Sequence, residues 1–195
     1  MLKFYSNKEL SKAFGVNLAK WKRWSREFLP PDPLGGLQSG YARQYNPDDA
    51  FKVFMGGYLV ADLKFTIPES KNILQDLHAW MVDHGFYFGI SESDGGISND
   101  NTPAKRIIVH IFPQKYHCFE KSLFFYKITG IVSEKPIQHE TQAGAETIHL
   151  EWMINKPDTG ADLNKWLGCR TINMSALRSN FLERLHSTKL NECKP

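Results

Sequence analysis

Cysteine is scarce in this chain of 195 residues: Cys118, Cys169 and Cys193 are odd in number and far apart. No C-x-x-C pair occurs, and no histidine spacing closes a tetrahedral zinc site, which excludes a disulfide framework and a recognisable metal centre. Free thiols, no metal and no cofactor are therefore expected. Long apolar runs are missing as well. None approaches the ~20 residues of a membrane span, and Lys3, Asn7, Lys8 and Glu9 interrupt the region where a secretory signal needs an apolar block. The expectation is a cytoplasmic protein with no membrane partner. Charge of one sign is not in large excess, since 24 basic residues stand against 21 acidic ones for a net charge of +3. Hydrophobic residues at 42% and charged residues at 23% sit near globular averages and exclude wholesale disorder, collagen and coiled coil. The length suits one medium domain or two small ones, with about 70% of the unfolded surface buried on folding.

What the chain does have is basic charge gathered at one end. Within residues 1–45, Lys3, Lys8, Lys12, Lys20, Lys22, Arg23, Arg26 and Arg43 face only Glu9, Glu27 and Asp32, and such a surface attracts polyanions. The local pattern there is helical. Ser6 and Glu9 have capping-box spacing for a first helix with Leu10, Ala13 and Phe14 as its apolar face. Gly15 permits a sharp turn, and Asn17 caps a second helix from Leu18 to Phe28. In it Leu18, Trp21 and Phe28, with Val16 ahead of them, face inward, while Lys20, Lys22, Arg23 and Arg26 crowd the remaining surface. Two short helices about a glycine turn make a helix-turn-helix, which presents its second helix to a major groove.

Pro30, Pro31 and Pro33 stop the second helix. A glycine-rich hairpin through Gly35, Gly36 and Gly40 then leads to a strand whose Tyr41, Arg43 and Tyr45 share one face, in the manner of a wing. Asn46, Pro47, Asp48 and Asp49 open a third helix through Phe51, Phe54, Tyr58 and Leu59. Thr66 and Glu69 cap a fourth, in which Ile73, Leu74, Leu77, Trp80 and Met81 recur at helical spacing up to Gly85. Residues 89–104 are polar and glycine-rich, and the domain boundary is placed there. Beyond it the period changes to two: Ile148, Leu150, Trp152 and Ile154 alternate with Thr147, His149, Glu151 and Met153. Arg106 to Phe112 and Leu123 to Val132 read as further strands, and Ser175 to His186 as a helix with Leu177, Phe181 and Leu185 on one face.

The expected fold is mixed α/β in two domains. Residues 1–85 form an all-α winged helix-turn-helix, and residues 86–195 an α+β domain with an antiparallel sheet. The first of these resembles the amino-terminal winged-helix domain of the mercury-resistance-regulator (MerR) family of bacterial transcription factors, over about Phe4 to Met81. The resemblance rests on Tyr5-Ser6 with Glu9-Leu10, on Phe14-Gly15-Val16 and Trp21-Lys22-Arg23-Trp24, and on Arg43-Gln44-Tyr45-Asn46-Pro47-Asp48-Asp49. It implies that Lys20, Lys22, Arg23 and Arg26 enter the major groove and that Tyr41, Arg43 and Tyr45 brace the phosphate backbone. Only contacts to base edges carry direct sequence information. The family's long pairing helix does not transfer, because Gly85 and the polar segment stand in its place. Its thiol metal sensing does not transfer either, because no cysteine lies between Met1 and His117.

Trp21 and Trp24 are expected to be scaffold rather than base-stacking residues. His110, His117, Cys118 and His149 show no ligand spacing, Glu140, Glu146 and Glu151 show no defined pairing, and no nucleophile motif appears, so no enzyme is expected. The function expected is a sequence-specific, DNA-binding transcriptional regulator acting on double-stranded DNA as a homodimer. Its second domain would pair subunits, sense a small molecule or contact a protein. The alternative is an architectural DNA binder resembling the excisionases.

Overall fold

The computed structural model describes residues 4–32, 42–87, 106–113, 123–139, 142–156 and 168–190, without the side chains of 132–139, 142–149 and 188–190. Among them are five helices and two antiparallel sheets, which makes the fold a mixed α/β one. The chain divides into two compact units, Met1–Ile97 with Arg178–Pro195, and Ser98–Leu177.

In the first unit the caps set the helices. The Ser6 hydroxyl accepts the Glu9 amide and the Glu9 carboxylate accepts the Ser6 amide, which starts α1 at Asn7–Ala13. Helix α1 ends where Gly15, at φ +61°, donates to Lys12 and Val16 donates to Ser11, a pairing that satisfies two carbonyls at the helix end. Asn17 accepts the Ala19 amide at 2.9 Å and begins α2, Leu18–Phe28. Asn46 and Pro47 begin α3, Pro47–Ala61, and the reciprocal Thr66 and Glu69 cap begins α4, Ile67–Asp83. Helix α4 closes as α1 does: Gly85 has φ +66°, Gly85 donates to Val82, and Phe86 donates to Met81.

This unit is not purely helical. Strand β1, Tyr5–Ser6, pairs antiparallel with β2, Gln44–Tyr45, so that Tyr5 faces Tyr45. Two residues per strand are too few to stand alone in water, and the pair persists because Tyr5 and Tyr45 are both buried in the helical core. The hairpin expected through Gly35 to Gly40 lies outside the described residues.

The core of this unit is aromatic. The Phe14 ring lies 5.5 Å from Trp21, 4.7 Å from Phe54 and 5.3 Å from Phe181, and Phe181 lies 5.2 Å from Phe51. Phe181 comes from α5, Met174–Leu190, whose residues from Arg178 onward belong to this unit. Arg184 of the same helix donates to the Phe14 carbonyl at 3.2 Å, where α1 meets its turn. Leu177, Phe181 and Leu185 are all buried, as their spacing requires.

The second unit holds a four-stranded sheet ordered β5-β4-β3-β6, from β3 (Arg106–Pro113), β4 (Phe124–His139), β5 (Gln142–Ile154) and β6 (Arg170–Asn173). All its pairings are antiparallel. The register sets Trp152, Ile128, Val109 and Ile172 in one row, and the last three of these are fully buried. The next row toward the other face runs Met153, Lys127, His110 and Thr171. Lys127 makes a 2.8 Å ion pair with Glu151 there. Strand β6 was not expected, because its four residues Arg170-Thr171-Ile172-Asn173 include only one apolar side chain. Asn173 then accepts the Ala176 amide at 3.0 Å at the start of α5. Among the described residues no helix is long and apolar enough to cross a membrane.

Because Phe181 is fully buried among Phe14, Phe51 and Phe54, Phe181→Ala should destabilise the first unit by about 3–5 kcal/mol. Denaturation followed by tryptophan fluorescence, which reports Trp21 and Trp24 nearby, measures this. A change below about 1 kcal/mol would contradict the packing described.

Candidate nucleic-acid interface

Helix α2 separates its residues sharply. Trp21, Trp24, Ser25 and Phe28 are buried, and Lys20, Lys22, Arg23 and Arg26 are exposed. Leu18 and Val16, expected to face inward with them, are only half-buried. Helical periodicity produces the separation: positions 21, 24, 25 and 28 fall on one stripe, which leaves the cations on the rest of the circumference.

The buried stripe is seated on α3 through two adjacent glycines. A Cβ at Gly56 would lie 2.5 Å from the Phe28 ring, and a Cβ at Gly57 would lie 2.3 Å from the Trp24 ring. Real Cβ atoms do not approach rings that closely, so α2 lies where it does only because α3 has no side chain at either position. Trp21 and Trp24 are thus scaffold, as expected. The Lys20 ammonium sits 4.8 Å from the centre of the Trp24 ring, a cation–π contact that leaves its charge at the surface.

One acid interrupts the cationic face. Glu27 accepts a 2.7 Å hydrogen bond from Lys71 of α4. That bond, with the charges of Lys71, Arg23 and Arg26, holds its carboxyl below the usual carboxylate range. Sequence reading missed the pairing, because 44 residues separate the partners.

The segment before α3 divides differently from the expectation. Tyr41 lies outside the described residues. Arg43 is half-buried and donates from Nη1 to the Pro30 carbonyl at 2.9 Å, with its guanidinium 5.7 Å from the centre of the Tyr45 ring. Its charge also acts on Asp49, whose pKa burial raises and Arg43 lowers. Tyr45 departs from the expected phosphate contact. Only 1% exposed, it cannot touch a phosphate. Its hydroxyl is engaged at 2.7 Å with Asn7 Oδ1 and at 2.7 Å with Ser25 Oγ. Asn7 Oδ1 can only accept, so Tyr45 donates to it and the Ser25 hydroxyl donates to Tyr45. Burial raises the Tyr45 pKa above its ordinary value, against the opposing pull of Ser25 and Arg43. Alternation placed Tyr45 beside Arg43 on one strand face; β2 holds only Gln44–Tyr45, and Arg43, just before it, does lie over the Tyr45 ring. Alternation cannot tell which member of that face is covered.

In the second unit His110 Nδ1 lies 3.3 Å from Thr171 Oγ1, and burial with the Lys127 charge lowers the His110 pKa. Cys169 is exposed, with its sulfur 4.0 Å from Thr171 Oγ1. His117, Cys118 and the His149 side chain lie outside the described residues. Among the described residues no three histidine, cysteine, aspartate or glutamate side chains gather as a metal site.

Gly57→Ala should destabilise the protein by about 1–3 kcal/mol, because the Trp24 ring must shift, although alanine is the better helix former by about 1 kcal/mol. Urea denaturation decides the sign, and a stabilised variant would contradict the seating of α2. No family model, no curated protein and no solved structure matches this chain at a significant level.

Proposed function

We propose that this protein is a sequence-specific, double-stranded-DNA-binding transcriptional regulator. In this reading residues 1–85 form a winged helix of the MerR kind, with α2 as the recognition helix in the major groove and Arg43 bracing the phosphate backbone. The observation that carries it is the four exposed cations of α2, Lys20, Lys22, Arg23 and Arg26, on a helix whose opposite stripe is seated closely on the Gly56-Gly57 backbone of α3. Rigid presentation matters because a recognition helix must hold its side chains in register with base edges. Long cations on it neutralise phosphates, and an arginine can donate two hydrogen bonds to one guanine. No catalytic step is part of the proposal.

A single short helix covers little DNA, so the protein acts as a homodimer on paired half-sites, in the cytoplasm. The second unit pairs subunits or receives a small-molecule or protein effector. One observation favours the excisionase-like alternative. Helix α4 stops at Asp83 with Gly85 in the left-handed region, where a MerR-type regulator would run on into its pairing helix. A footprint separates the readings: a palindrome near a promoter supports regulation, and direct repeats with strong bending support the architectural role.

Selection of bound fragments from random duplex DNA, with Arg23→Ala and Arg43→Ala beside the parent, tests the proposal. Arg23→Ala should relax base preference and lose about 1–3 kcal/mol if it reads a guanine. Arg43→Ala should weaken all sequences alike and make the log–log salt slope shallower by about 1 from a parent value of about −3.6, the value for roughly four neutralised phosphates. Equal retention by both variants, or a parent that ignores duplexes in dilute buffer, would contradict it.

A further inference from the structure

We infer that Tyr45 is a positioning residue for DNA recognition, setting the angle at which α2 is presented without itself touching DNA; this rests on the reading of α2 as the recognition helix. Asn7 opens α1, Ser25 lies on the buried stripe of α2, and Tyr45 ends β2. Two 2.7 Å hydrogen bonds at one oxygen therefore tie three elements together inside the core. Asn7 and Ser25 are themselves buried, and a buried polar group keeps its geometry because breaking its bond leaves it unsolvated.

The ring is fixed as well as the hydroxyl. Tyr45 meets Trp21 edge-on at 6.1 Å between ring centres, and its backbone is held opposite Tyr5. Ser25 is one residue from Arg26 and two from Arg23, so the network grips α2 directly behind the cations assigned to the groove. On the far side, Arg43 lies over the same Tyr45 ring and donates to the carbonyl of Pro30, just beyond the end of α2. The groove-reading helix and the phosphate-bracing arginine thus share one anchor. An anchor of this type acts on specificity more than on charge: a helix that rocks in the groove still neutralises phosphates but loses the alignment that base-edge hydrogen bonds need.

The test is Tyr45→Phe, which keeps the ring and removes the hydroxyl, with Ser25→Ala, Ser25→Thr and the Tyr45→Phe/Ser25→Ala double variant. The probes are a duplex enriched by the parent from a random pool and a scrambled duplex of equal length. Tyr45→Phe should lower the preference for the enriched duplex about tenfold while leaving scrambled-duplex affinity and the salt slope unchanged. Ser25→Ala should reproduce the effect, the double variant should be no worse than either single one, and Ser25→Thr, which keeps a hydroxyl, should restore the preference. Amide hydrogen exchange in α2 of the DNA-free protein should quicken in Tyr45→Phe.

A preference ratio and α2 exchange that both match the parent overturn the inference alone. A loss of affinity equal for both duplexes, with a shallower salt slope, overturns it in favour of direct phosphate contact. A parent that binds neither duplex overturns it together with the reading on which it rests.

Discussion

The structure of the amino-terminal unit turns on the absence of two side chains. Gly56 and Gly57 leave bare backbone on α3, and the Phe28 and Trp24 rings of α2 rest there at distances a methyl group would forbid. Everything on the outer face of α2 follows from that seat. With Trp21, Trp24, Ser25 and Phe28 turned inward, Lys20, Lys22, Arg23 and Arg26 have only the outside left to occupy. Glycine in a helix interior costs about 1 kcal/mol relative to alanine, and two in succession make sense only if close approach returns more than that. Tryptophan and phenylalanine are the side chains able to return it, through large buried area.

Around this seat the unit is braced at several points of unlike chemistry. Buried hydrogen bonds at Tyr45 hold the inward face of α2, an ion pair from Lys71 to Glu27 holds its outer flank, and the Arg43 bond to Pro30 holds the chain beyond its end. At the other end of the helix pair, Arg184 donates to the Phe14 carbonyl and Phe181 fills the space among Phe14, Phe51 and Phe54. The exposed ion pair contributes little by itself, about 0–1 kcal/mol for surface pairs in general. Its effect is on charge: with Glu27 engaged by Lys71, the acid competes less for the arginines beside it.

Local signals in the amino acids account for much of the first unit. Ser6 with Glu9, Asn17, Asn46 with Pro47, and Thr66 with Glu69 were readable as helix starts, and Gly15 and Gly85 as stops, because caps and left-handed turns are decided by neighbours in sequence. The inward positions of α4 and α5 were readable from periodicity. What could not be read depends on distant partners. The β1 strand depends on Tyr5 meeting Tyr45, and the buried Tyr45 hydroxyl is satisfied by donating to Asn7 and accepting from Ser25. The covering of Phe14 by Phe181, far along the chain, has no local mark at all. The Gly56-Gly57 pair did carry a signal, since consecutive glycines inside a helical pattern point to close approach, but not to the rings that approach. In the second unit, alternation disclosed β5, whereas the short, polar β6 could be found only through its pairing with β3.

The central claim is that the outer face of α2 meets duplex DNA, and the most direct measurement is an NMR titration of the full chain with a mixed-sequence duplex at low salt. Backbone amides and arginine side-chain signals from Lys20 to Arg26, and the Arg43 side chain, should shift first and relax back as salt is raised. Signals of the buried Trp21 and Tyr45 should follow only weakly. Shifts confined to the β3–β6 sheet, or an α2 face that stays unchanged while the duplex is added in excess, would contradict it.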